Sequence, residues 1–158
     1  MRKINNPFHA LEGYNCFACC PTNEHGLQMD FYEDGEYVCA NWKPKTHFEG
    51  YPNILHGGIQ STLLDEIAAW AVYVKGCTSG VTSRMNVKYH KPVAVKGNTL
   101  LLRAKIVEVR RRFATIKAEL INEKGELCSE AELVYYMFPT DIAKAQYSYP
   151  EHADFFKE

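Results

Sequence analysis

From Asn53 to Val74 the chain reads NILHGGIQSTLLDEIAAWAVYV, and this stretch constrains the fold more than any other. At about 100° per residue, Ile59, Leu63, Ile67, Trp70, Ala71 and Val74 fall in one stripe. Leu64, Ala68 and Val72 widen that stripe past half the circumference. A helix so apolar must be enclosed by other structure rather than laid on a wet surface. Lys75-Gly76 ends it with a cation and a glycine, as a helix C-terminus prefers.

The material available to enclose it is β. GVTSRMNVKYH, NTLLLRAKIVEV, RRFATIKAELINE and ELCSEAELVYYMF follow in turn, rich in alternation and β-branched residues, with Glu123-Lys124-Gly125-Glu126 as a hairpin turn. Upstream, LQMDFYE sets Leu27, Met29 and Phe31 against Gln28, Asp30 and Tyr32, and YVCANWK resumes alternation after Glu33-Asp34-Gly35-Glu36. Two strands, one enclosed helix and four strands predict the α+β class, with one antiparallel sheet wrapped around a single long central helix. Residues 27–139 form that domain; residues 1–26, which sustain no period, form an irregular cap. The aromatic tail, 140–158, is expected to pack back on the domain, with Phe155 and Phe156 as contact residues.

A chain of 158 residues suits one domain, and its 46% hydrophobic and 23% charged residues are those of an ordinary globular protein. The net charge of -1 offers no field for nucleic acid or an anionic membrane. No apolar export signal opens the chain, and no run approaches the ~18 apolar residues of a membrane span, so a cytoplasmic protein with reduced thiols is expected. Cys16-x-x-Cys19-Cys20, with His9 and His25 nearby, suggests zinc, yet a structural zinc wants a second ligand pair and no second Cys pair is present. No metal is expected, and these thiols are read as packing within the cap.

The helix start carries the chemistry. Its first amides lack intrahelical partners and sit at the positive end of the dipole, and Gly57 and Gly58 have no side chains to keep a ligand away. Such amides hold a carbonyl oxygen more tightly as it gains negative charge. Asp65 lies at one edge of the apolar stripe beside Ser61, and Glu66 at the opposite edge near Ile59 and Trp70, so the two acids face different spaces. Gly57 and Asp65 are about 10–12 Å apart along the axis at about 1.5 Å per residue. Either a bulky substrate bridges them, or the acid comes from a second copy of the helix, an arrangement that favours a dimer. Ser61 has no evident base and Ser83 adjoins Arg84, which argues against a serine triad.

The segments HGGIQSTLLDE and GVTSRMNVKYHKPV resemble the hotdog-fold thioesterases, in particular the phenylacetate-pathway (PaaI-type) branch, with its HGG-x(6)-D/E and T-x-x-x-N-x-x-Y-x-x-P patterns. CFACCPTNEHGL is similar to a CFxCGPxNPxGL segment of some members, with Cys20 in place of Gly and Glu24-His25 in place of Pro-x. The resemblance spans about residues 14–139. It implies a hotdog fold and an acyl-CoA thioesterase that hydrolyses acyl- or aryl-CoA at a site shared across a dimer. On this likeness Gly57, with or without Gly58, supplies the amide donor, and the partner's Asp65 acts as nucleophile or general base. Thr82 helps hold that acid or the attacking water, and His56, counted among the catalytic residues, braces the turn and reaches the thioester. Some members place an Asn or Gln before HGG; residue 50 is Gly, and Asn53 is the nearest amide. Asn53, Ser61, Ser83, Lys91, Arg111 and Arg112 are the candidate substrate contacts, the basic ones toward the phosphates of coenzyme A. No cofactor is needed, and the dimers are expected to pair into tetramers. A non-catalytic acyl-CoA-binding regulator is the alternative, followed by a hydratase or dehydratase, for which His56 is poorly placed.

Overall fold

The computed structural model describes residues 1–157. Helix α1 runs Gly57–Lys75, and Leu63, Leu64, Ile67, Ala68, Trp70, Ala71 and Val72 are fully buried along it. The near-complete enclosure read from the apolar stripe is thus realised.

The strands are β1 (Arg2–Ile4), β2 (Phe31–Asp34), β3 (Tyr37–Trp42), β4 (Gly80–Tyr89), β5 (Leu100–Arg110), β6 (Phe113–Ile121) and β7 (Leu127–Met137). They form one antiparallel sheet in the order β1-β2-β3-β5-β6-β7-β4, which curls around α1. After β3 the chain crosses the sheet as α1 and returns to lay β4 on the far edge, paired only with β7. No residue of β4 is buried, and Val81 and Tyr89 are 45% and 52% exposed. It is a ten-residue strand whose outer edge is open.

Several boundaries differ from the sequence reading. The segment 1–26 is not wholly irregular: β1 pairs with β2, Arg2 opposite Glu33 and Ile4 opposite Phe31. With Ile4 its only buried residue, β1 is too short to show a period. Leu27 and Met29 are buried as their alternation requires, but their amides bond Phe17 O and Ala18 O at 2.8 and 2.9 Å. They tie the cap down instead of extending a ladder, so β2 starts only at Phe31. The broken alternation of AKIVEV is a register shift between Ile106 and Glu108, and a second shift lies between Thr82 and Arg84, at Ser83.

The tail forms helix α2 (Thr140–Tyr147) and a 3-10 turn (His152–Phe156). Phe155 is fully buried, its ring 6.0 Å from both Phe8 and Trp70. The last residue of the expected tail, 158, lies outside the described residues. No helix among the described residues is long and apolar enough to cross a membrane.

Candidate active site

The glycine corner is held from both sides. His56 caps α1, its Nδ1 accepting the Gly58 N–H at 2.9 Å, so the neutral ring carries its proton on Nε2. The Ile59 and Gln60 amides bond His56 O at 3.0 and 3.1 Å. Gly57 N–H is left without a partner among the described residues. Gly58 therefore differs from its expected part, because its amide already serves the cap. Tyr89 of β4 donates its hydroxyl to Gly57 O at 2.9 Å and accepts from Ser61 Oγ at 2.5 Å. A Cβ at Gly57 would meet the Tyr89 ring at 3.7 Å, an ordinary contact. Gly57 lines a cleft of about 580 Å³ together with Glu49, Tyr51, Ile54, Leu55 and His56.

Asp65 belongs to a second cluster at the other end of β4. Its Oδ1 accepts from Thr82 Oγ1 at 2.8 Å and from Tyr135 OH at 2.7 Å, and Tyr135 also lies 2.9 Å from Asp65 O. Burial first, then the Asp65 charge, pushes the Tyr135 phenol above its ordinary range, so it stays a donor. Two hydroxyls thus orient one carboxylate oxygen, while Oδ2 has no hydrogen-bond partner among the described residues. Sequence reasoning found Thr82 but not Tyr135. The signal was present: in ELVYYMF, Tyr135 shares the inward face with Leu133, and a buried phenol needs a partner for its hydroxyl.

The remaining candidates are scattered. Asn53, in a left-handed conformation with φ 60°, accepts from Lys96 N–H through Oδ1 at 2.8 Å and so braces its own loop. Lys91 pairs with Glu126 at 2.7 Å. Ser83 occupies the β4 irregularity, and Arg111-Arg112 forms the exposed turn between β5 and β6. Glu66 faces elsewhere, as expected, accepting from Trp70 Nε1 at 2.9 Å. What this arrangement supplies is an unpartnered amide at the positive end of a helix and, separately, an oriented carboxylate.

Residues 52–129 match the family model of the thioesterase superfamily. The chain is 27% identical over 126 residues to an uncharacterized protein of Schizosaccharomyces pombe, covering 77% of this chain and 68% of that one. Among solved structures it is similar to a thioesterase superfamily protein, with TM-score 0.70, 21% identity and 77% of this chain aligned; it spans 62% of that protein's length. It is also similar to a hypothetical thioesterase of Streptococcus pneumoniae solved with coenzyme A, with TM-score 0.66, 20% identity, and 71% and 90% of the two chains covered. At such identities the structural likeness concerns the fold. The chain has the α+β hotdog fold, and its match to the thioesterase superfamily runs through the segment that holds Gly57, Asp65 and Thr82.

Proposed function

We propose that the protein is an acyl-CoA thioesterase of the PaaI type that works as a dimer, hydrolysing an acyl- or aryl-CoA to the free acid and CoA at sites shared between two copies. One observation carries this reading: Gly57 and Asp65 are tied to opposite ends of the same open edge strand, Gly57 through Tyr89 and Asp65 through Thr82. Within one chain they are about 12 Å apart along α1, more than one thioester group spans. His90 N–H bonds Cys128 O of β7, so in an antiparallel ladder the amides of Lys88 and Asn86 also face β7, while those of Met85, Val87 and Tyr89 face outward. Those outward amides can pair with a second β4. Antiparallel pairing centred near Asn86 sets Tyr89 of one copy beside Ser83 of the other, which brings a Gly57 corner to a neighbouring Asp65.

In that shared cleft the Gly57 amide N–H of one copy donates to the thioester oxygen and stabilises its developing charge. Asp65 of the other, oriented by Thr82 and Tyr135, either takes a proton from the attacking water, giving the acid directly, or attacks the carbonyl to form a mixed anhydride that water then hydrolyses. The thiolate leaves with little acid assistance. Arg111 and Arg112 precede Phe113 and Ala114, and Ala114 is the β6 neighbour of Tyr135, so this basic turn lies at the same end of the sheet as Asp65 and suits CoA phosphates. Lys91, paired with Glu126, is the weaker phosphate contact. The coenzyme A bound to the pneumococcal protein supports CoA as the ligand class. Free cysteines suit a reducing compartment such as the cytoplasm.

Thiol release across a panel of acyl-CoA substrates tests the reading. Asp65→Asn should lower kcat by about 10²–10⁴-fold while substrate binding, followed by calorimetry, persists. Hydrolysis by that variant at near the wild-type rate would remove the mechanism, and tight binding with no thiol release by the wild type would favour a regulatory acyl-CoA binder.

A further inference from the structure

On the α1 face turned away from Asp65, Glu66 meets the N-terminal cap. Cys16 Sγ lies 3.8 Å from Glu66 Oε1, and one donor atom from each of Cys16, Cys19 and Glu66 lies within 4.8 Å of the other two. A tetrahedral cation with Zn–S of about 2.3 Å and Zn–O of about 2.0–2.2 Å sets such atoms about 3.5–3.8 Å apart. Small side-chain adjustments bring the trio to that spacing.

The surroundings orient these atoms as ligands. Cys20 N–H bonds Cys16 O at 3.2 Å and closes a turn around the C-x-x-C. Trp70 Nε1 donates to Glu66 Oε1 at 2.9 Å, and the Tyr14 hydroxyl is 2.9 Å from Cys19 Sγ. Donors around ligand atoms are the usual support of a metal centre. A cavity of about 380 Å³ gives access, and no Lys, Arg or His lines it. Ser79, 4% exposed, also lines it, and its Oγ has no hydrogen-bond partner among the described residues.

Three groups able to carry negative charge therefore share a space with no protein cation among its lining residues. We propose that Cys16, Cys19 and Glu66 form a binding site for a zinc-like divalent cation, with a solvent oxygen as fourth ligand, pinning the cap to α1. The sequence reading expected no metal because it found a single cysteine pair; the third donor comes from the central helix, where no spacing motif announces it.

Chelator-stripped protein titrated with Zn²⁺ by calorimetry, and with Co²⁺ by visible absorption, tests the site. One equivalent should bind per chain, with proton release and thiolate-to-cobalt bands. Cys16→Ser and Glu66→Gln should each weaken binding at least about 100-fold. Cys77→Ser, at an exposed cysteine outside the cluster, should bind as the wild type does. Circular dichroism checks that the variants fold, and should Cys16→Ser not fold, Glu66→Gln carries the readout. Absence of stoichiometric binding, undiminished binding by either cluster variant, or a Cys16–Cys19 disulfide in reduced, chelator-free preparations would overturn the proposal.

Discussion

Asp65 and Glu66 are neighbours in sequence and opposites in surroundings. Asp65 points at hydroxyls of β4 and β7, whereas Glu66 points into the junction of α1 with the cap, where burial raises it from an ordinary 4.5 to about 7. Because the fold favours the protonated acid, the folded chain holds more protons than the unfolded one between these values. Stability must then fall as pH rises from about 4.5 to about 7 and level off above, by up to about 3 kcal/mol at about 1.36 kcal/mol per unit. Metal-free wild type and Glu66→Gln, compared by denaturant unfolding across that range, should differ by this slope; equal pH profiles would contradict it. The opposite placement of the two acids was legible from helical periodicity alone, and so was Trp70 beside Glu66. The cysteines that meet Glu66 were not, because the cap has no period from which to place it.

At the scale of elements, α1, β3 and β4–β7 were legible because their periods are long and their turns marked. The strand β1 and the start of β2 were not, since tertiary bonds from Leu27 and Met29 decide where the ladder begins. The tail's α2 and 3-10 turn were not legible, because its aromatic content carries no period from which to place it. For the proposed dimer the decisive element is β4, alternating in sequence yet uncovered on its outer edge. Val87→Pro should remove one outward amide without touching a bond to β7. The account expects a folded monomer by light scattering and circular dichroism, with thiol release lost. A dimer of normal activity would show that β4 is not the interface.

At the scale of the whole molecule, the separation of Gly57 from Asp65 was readable from the sequence, because helix rise is universal. Which strand would close that gap in the proposed dimer was not readable, since it depends on β4 lying at the end of the sheet rather than in its middle. The claim that two copies complete each other's site has a direct test in subunit mixing. Gly57→Pro deletes the amide donor at the first helical position, where proline is accommodated, and His56 at φ -57° and ψ 134° suits the residue before it. Gly57→Pro and Asp65→Asn should each be inactive alone. Dissociated and reassociated in equal amounts, they should regain about a quarter of wild-type thiol release, because half the dimers are mixed and each mixed dimer holds one intact site. A mixture as inactive as its parents would place both groups in one chain's site and contradict the account.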